Sequence, residues 1–388
     1  MSSLGRMSPP DTASEGQTEY NAGDYRWTPE GLAPGGVFFG TLIHELGHGH
    51  GMSHPHDNGG RSSIMRGVEE IETFVYTTGD FNLNQGVYTM MSYQDGWQES
   101  PYGQPRNDLG YGFIGSLMAF DIAVIQDKYG VNEEWATGDD VYTLKDVNAP
   151  GTYYSSIWDA GGTDSIVYQG PIDANIDLRP ATLKYEYGGG GWISYVWGIH
   201  GGFTIANGVT IENASTGSGN DSLTGNDAAN VLSAGAGNDS LSGGDGADTL
   251  IGGLGSDALT GGNGADVFRF ETAADSAVGT TRDVIADFTQ GSDLIDLSAI
   301  GATTFVGNAL FGGNAGEVRA VGFDGTTIIE LDADGDSIAD FQLALSGQQT
   351  LGLGDFVGYG AQPNHVLDTM RTLRGRKVYI RGNHDRVA

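Results

Sequence analysis

Apolar residues recur every nine positions at Leu223, Leu232, Leu241, Leu250, Leu259 and Phe268, in a background of small and polar residues. That period belongs to neither an amphipathic helix nor a plain alternating strand, and it predicts a repeated unit with one core residue each. Two other stretches have helical spacing. "VFFGTLIHELGHGH" predicts a helix ended at Gly51, where glycine accepts positive φ at little cost. "SLMAFDIAVIQDKYG" predicts an amphipathic helix ended by Gly130, with Leu117, Phe120 and Val124, and Met118, Ile122 and Ile125, along its apolar arc. Asp121 falls inside that arc and, if buried, needs a hydrogen-bonding partner. Strand-like segments ("DVYTL", "DSIVYQG", "GVTIENA") follow in residues 131–215. In residues 270–357, "DVIADF", "DLIDLSAI", "TTIIEL" and "ADFQLALSG" alternate apolar and polar, as half-buried strands do.

Composition narrows the partners. The chain has 388 residues, room for two or three domains, and 65 glycines that some architecture must require. Acidic residues outnumber basic ones 50 to 18, for a net charge of −32. Such a surface disfavours nucleic acid and anionic membranes and favours cations. No apolar run reaches the length of a membrane span, so stable membrane insertion is not expected. The polar, proline-bearing start "MSSLGRMSPPDTASEGQTEY" lacks the apolar centre of a secretory signal, so any export is expected by another route. There is no cysteine, and bound metal can stabilise a secreted chain in place of disulfides.

The chemistry starts at "HELGHGHGMSHP". His44 and His48 are four apart, so a helix puts both imidazoles on one face, within reach of one ion. Glu45 lies on the same rim, placed to take a proton from a zinc-activated water. The turn at Gly51 brings His54 back as a third ligand, and three nitrogens leave a coordination position open, as catalytic zinc sites do. A bare H-E-x-x-H arises by chance in unrelated helices; the full H-E-x-x-H-x-x-G-x-x-H spacing is far more specific. The bland alternative is histidines that cap or pack a helix. His50 and His56 are read as supporting or surface groups.

Residues 216–269 divide into six nonapeptides, "TGSGNDSLT", "GNDAANVLS", "AGAGNDSLS", "GGDGADTLI", "GGLGSDALT" and "GGNGADVFR". The consensus G-G-x-G-x-D-x-L-x suits calcium: glycines turn the chain with carbonyls inward, and the Asp adds a hard anionic oxygen. Each block is half a coil, so ligand loops are expected to stack every 18 residues. Asp221, Asp239 and Asp257 would line one side, and Asn230, Asp248 and Asp266 the other. Gly217, Gly219, Gly235, Gly237, Gly244, Gly246, Gly252 and Gly261 are the expected glycine ligands. Neutral Asn230 is the weak member, and a flexible Gly/Ser/Asp linker is the alternative to a roll.

"YTMMSY", with Met91 and Tyr93, resembles the Met-turn of metzincin proteases, whose methionine floors the zinc site. By that resemblance Tyr93 is a further zinc ligand that swings away to stabilise the oxyanion. A metzincin zinc site, a Met-turn and RTX repeats in this order resemble the serralysins, secreted bacterial metalloproteases, over residues 36 to 357. "DIAVIQDKYG" is similar to the serralysin helix after the Met-turn. "ATGDDVY", "IWDAGGTD" and "GVTIENA" resemble segments that bind calcium ahead of the roll; the resemblance implies Gly138, Asp140, Asp159, Gly161, Gly162, Asp164, Thr210 and Glu212 as ligands. "DVIADFTQGSDLIDLS" resembles the start of the C-terminal sandwich. "DADGDSIADF", with Asp332, Asp334 and Asp336, is left open as a further calcium site, since its twelfth position, Leu343, is not acidic.

The expected fold is a partial α+β zincin-like (metzincin) catalytic domain over 36–135, after a poorly defined segment 1–35. A parallel β-roll over 136–270 and a C-terminal β-sandwich over 271–357 follow. Serralysins carry a longer stretch before the zinc helix, so the chain reads as N-terminally truncated, with "YNAGDYRW" the sole candidate remnant. Residues 359–388 hold six of the 18 basic residues, and "YIRGNHD" resembles a loop of calcineurin-like metallophosphoesterases. That activity also needs D-x-H and G-D-x-x-D motifs, which the tail 358–388 lacks, so the tail reads as a fused fragment or a shifted reading frame. The resemblance implies a monomeric, extracellular zinc endopeptidase that is stabilised by several calcium ions, acts on polypeptides and leaves the cell through type I secretion machinery. The competing reading is an inert RTX calcium-binding module with a truncated protease domain.

Overall fold

The computed structural model describes residues 5–8, 17–21, 23–24, 27–57, 63–68, 77–104 and 110–357. The basic tail with "YIRGNHD", and Ala22, Tyr25 and Arg26 of "YNAGDYRW", lie outside the described residues.

The nine-residue period becomes two stacked parallel sheets. Blocks alternate between them: Ser222–Thr224, Ser240–Gly246 and Ala258–Gly264 in one, Val231–Gly237, Thr249–Gly255 and Val267–Arg269 in the other. The register is that of an 18-residue coil, with Leu223 beside Leu241 and Leu259, and Leu232 beside Leu250 and Phe268. All six are at most 1% exposed and fill the space between the sheets, while their strand neighbours point outward. Leu250→Ala in the calcium-loaded chain is therefore expected to cost about 2–5 kcal/mol in chemical denaturation. A loss too small to resolve would contradict a closed core at that position.

The same sheets continue on both sides of the repeats, to twelve strands and eight. Tyr154–Ile157, Ala174–Asp177, Ser194–Val196 and Gly202–Ile205 extend the larger one ahead of the repeats. Asp283–Ile285, Phe341–Leu345, Thr326–Asp332 and Glu317–Phe323 extend it after them. The sandwich expected over 271–357 is thus built onto the roll's own sheets rather than set beside them. Pairing turns antiparallel at Glu317–Phe323 and Thr326–Asp332, across a two-residue turn in which Asp324 (φ 48°) and Gly325 (φ 79°) both take positive φ. This is the turn geometry that matches strand twist.

Two helices carry the upstream segment, α1 (Val37–Gly49) and α2 (Ala119–Tyr129). Helix α2 begins later than its apolar spacing suggests, because the Asp121 carboxylate accepts the Met118 N–H and caps it there. Val124, expected on the apolar arc, is 47% exposed: Ile122 and Ala119 face inward, and two residues on from Ile122 is the opposite side. Among described residues 27–118 there is no strand, only a bridge from Ile114 to Tyr154. The sheet expected of an α+β catalytic domain over 36–135 is not found among its described residues; the short antiparallel pair Gly5–Met7 and Thr18–Tyr20 lies ahead of it, with Met7 packed on α1 at Gly49. A buried cluster of Met52, Val87, Met90, Met91, Ile114, Met118, Tyr154 and Ile193 joins the helices to the roll.

Candidate metal centre

Helix α1 presents His44 and His48 one turn apart, and Gly51 (φ 85°) lets the chain reverse so that His54 meets them. His54 Nε2 lies 3.0 Å from His44 Nε2 and 3.1 Å from His48 Nε2. Each opposite ring nitrogen has its own acceptor. His44 Nδ1 donates to the Met90 carbonyl at 2.6 Å, His48 Nδ1 to the Met52 carbonyl at 2.9 Å, and His54 Nδ1 to Asp57 Oδ2 at 2.6 Å. Those acceptors fix the tautomers, so each Nε2 turns a bare lone pair toward the others. Burial holds His44 and His54 neutral, with pKa values lowered to about 4. Lone pairs this close repel one another unless a cation lies among them. The separations are near the about 3.3 Å of two imidazoles sharing a tetrahedral zinc ion at about 2.0–2.1 Å, so the donor set fits zinc.

The floor is tightly packed. A Cβ on Gly47 would come within 2.5 Å of Met91 Sδ and 2.6 Å of Met90 Cε, so glycine is what lets both methionines lie against the helix. Asp121, completely buried, ties this turn to α2: it accepts from Thr89 Oγ1 (2.7 Å), Met90 N–H (2.8 Å) and Met118 N–H (2.9 Å). Burial raises its pKa to about 6 against those three bonds. Through Met90 it sets the carbonyl that holds His44. Its need for partners was legible; that two of them, Thr89 Oγ1 and the Met90 N–H, belong to the methionine turn was not.

Glu45 is 6% exposed and accepts a backbone hydrogen bond from Met7, while its Oε2 has no partner among the described residues. Burial raises its pKa. The Tyr93 ring lies 4.5 Å from that of His54, 4.8 Å from His56 and 5.7 Å from His44, centroid to centroid. Burial, then the charges of Asp57 and Glu45, raise its pKa, which keeps the phenol protonated. His56 stacks on His54 at 4.9 Å, whereas His50 points away to Tyr129.

The acidic positions of the roll form two ladders. On one, Asp221 N–H donates to Asp239 Oδ1, Asp239 N–H to Asp257 Oδ1, and Asp257 N–H to Asp283 Oδ1, at 2.7–2.9 Å. On the other, Asn230 donates to Asp248, Asp248 to Asp266 and Asp266 to Asp293. Ahead of the repeats, Asp140 N–H donates to Asp164 Oδ1 and Asp164 N–H to Glu212 Oε2. Oδ2 of Asp164, Asp239, Asp248, Asp257, Asp266 and Asp283 is buried with no hydrogen-bond partner among the described residues. Burial, reinforced by like charges, raises Asp239 to about 7, Asp283 to about 8 and Asp164 and Asp248 to about 6. Unpartnered buried carboxylate oxygens stacked at one-coil intervals fit hard cations such as calcium.

Several expected ligands are placed differently. Asn230 spends its amide locally, accepting from Asn226 N–H and donating to the Glu212 carbonyl. Gly252 and Gly261 lie under carboxylates: a Cβ there would meet Asp257 Oδ2 at 2.3 Å and Asp266 Oδ2 at 2.4 Å. Carbonyls stack on glycines along Gly219, Gly237 and Gly255, along Gly235 and Gly253, and along Gly246 and Gly264, and the Gly261 carbonyl also lies against Gly243. Gly217 stacks in the same way under Gly235, and Gly244 under Gly262. Asp140, Asp159 and Asp164 converge within 4.8 Å, with Gly138 O against Gly162; Asp159 also holds Tyr142 OH and the Gly161 N–H, and Thr210 is exposed. Asp332, Asp334 and Asp336 also converge, but their oxygens are engaged by Gly335, Ser337, Asp336 and Ile338 N–H groups of their own loop. Asp283 and Asp293 were missed because no glycine run precedes them; the signal was "DVI" and "DLI", an Asp followed by a strand.

A family model described as Peptidase M10 serralysin C terminal matches residues 122–357. Metalloprotease AprA of Pseudomonas entomophila is 41% identical over 330 residues, covering 79% of this chain and 61% of that protein. Serralysin of Proteus mirabilis is 43% identical over 293 residues, covering 71% of this chain and 54% of that protein. The chain thus spans between about half and three fifths of the length of these relatives. The AlgE6R2 subunit of the Azotobacter vinelandii mannuronan C5-epimerase, solved in solution, is 32% identical over 36% of this chain and 93% of its own. Its TM-score of 0.28 is too low to establish a shared overall fold. With the family model spanning more than half of its residues, the chain belongs to the serralysin-type metalloproteases.

Proposed function

We propose that the chain is a zinc-dependent endopeptidase with a metzincin-type catalytic segment, stabilised by calcium and acting on polypeptides outside the cell. The observation that carries this reading is the convergence of His44, His48 and His54 Nε2, with the buried Glu45 next to His44 on α1. A zinc ion held by the three histidines would supply Lewis-acid polarisation of the scissile carbonyl and acidify the attacking water. Glu45, its pKa raised by burial, takes the proton as the water oxygen bonds to the carbonyl carbon. It returns that proton to the amide nitrogen as the C–N bond breaks, and so is regenerated. Tyr93, kept protonated, donates a hydrogen bond to the developing oxyanion. Met91 and Met90 form the apolar underside that keeps α1 in place.

Calcium would be held by the carboxylate ladders and the stacked glycine carbonyls. Export by type I secretion machinery and a monomeric state belong to the same reading. No described helix is long and apolar enough to cross a membrane. The test is metal analysis by inductively coupled plasma together with casein hydrolysis by the calcium-loaded chain. Zinc near one per chain with cleavage is the expected result; zinc without cleavage would leave a loaded but inert chain and refute the activity.

A further inference from the structure

We infer that Asp57 is the positioning residue for the third ligand histidine, and that the affinity of this centre for its metal depends on it. The inference rests on the reading of His44, His48 and His54 as one metal set. Two of those histidines stand on α1, where the helix fixes their Cα positions and backbone carbonyls fix their rings. His54 has no such support. It follows the helix by an irregular stretch, residues 51–57, and nothing in secondary structure orients its ring. Asp57 supplies that constraint twice, because one carboxylate oxygen, Oδ2, accepts both the ring Nδ1–H at 2.6 Å and the backbone N–H of His54 at 3.3 Å. Ring and backbone are clamped to a single point, and Nε2 is left as the free donor facing the other two.

The acceptor also differs in kind. His44 and His48 donate to neutral carbonyls, and His54 alone donates to an anion, which strengthens its imidazole as a ligand more than an amide carbonyl can. His56 closes the far side, stacked on His54 with its Nε2 3.7 Å from Asp57 Oδ1, and limits how far the carboxylate can swing.

The experiment uses the full calcium-loaded chain and its Asp57→Ala and Asp57→Asn variants. Zinc dissociation constants are measured by competition with a chromogenic chelator, and the visible spectrum is recorded after cobalt(II) loading. Asp57→Ala is expected to bind zinc about 10–100-fold more weakly and to lose or shift the cobalt bands. Asp57→Asn keeps a side-chain acceptor without the charge and should fall between wild type and Ala. Affinity of Asp57→Ala within about twofold of wild type would overturn the inference, as would Asp57→Asn binding no better than Ala. Far-ultraviolet circular dichroism of each variant checks the fold; if Ala unfolds, the comparison of Asn with wild type decides. A wild-type chain that binds no zinc would refute the metal reading itself, whereas tight wild-type binding with unchanged variants refutes only the role of Asp57.

Discussion

Glu45→Gln is expected to lower casein hydrolysis by about 10²–10⁴-fold while zinc stays near one per chain. The amide has the size of the carboxylate, and its oxygen can still accept the Met7 N–H, so the packing beside α1 is kept. What it cannot do is take a proton. The loss should therefore fall on kcat with KM little changed, the pattern of an interaction needed only in the transition state. A variant that keeps more than a tenth of wild-type activity would remove Glu45 from the general-base role. Loss of zinc along with activity would instead point to a disturbed site.

Removing calcium is expected to abolish most of the β circular dichroism contributed by residues 136–357 at pH 8. The reason is the row of buried carboxylates whose second oxygen has no partner among the described residues. Their raised pKa values give the calcium-free chain a definite pH dependence. The folded values reach about 6 for Asp248 and Asp257, about 7 for Asp239 and about 8 for Asp283, against an ordinary 3.8. Between pH 4 and pH 8 the folded calcium-free roll thus holds more protons than the unfolded chain, and its stability falls as pH rises. Calcium-free protein should keep more of its β signal at pH 5 than at pH 8, and calcium should matter most at pH 8, where it replaces the lost protons. Identical spectra with and without calcium at pH 8 would contradict cation binding by the ladders.

These ladders also show where sequence reading reaches its limit. Leu223 to Phe268 were legible because each repeat gives glycine, aspartate and leucine one task at one position. The meeting of His44, His48 and His54 was legible because helix pitch and one glycine decide which histidines come together. Asp283 and Asp293 continue the ladders without the glycine frame, since loops of other lengths bring them into register. Asp57 follows its histidine at a spacing that no regular element enforces. Val124 shows that spacing locates an apolar arc without saying where its edge lies. The segment ahead of the roll was the least legible part, because an irregular stretch with almost no strand among its described residues has no period to read.

The antiparallel excursion at Glu317–Asp332 bears on how the larger sheet ends. A stack of near-identical coils exposes at its last coil the same hydrogen-bonding surface that each coil offers the next, so without a terminator two rolls could dock end to end and propagate as a filament. Among the described residues the larger sheet changes direction here, and its edge is Thr304–Phe305, two residues long. So short an edge offers an incoming chain almost no ladder to join. A short edge of this kind denies the larger sheet a template for end-to-end growth.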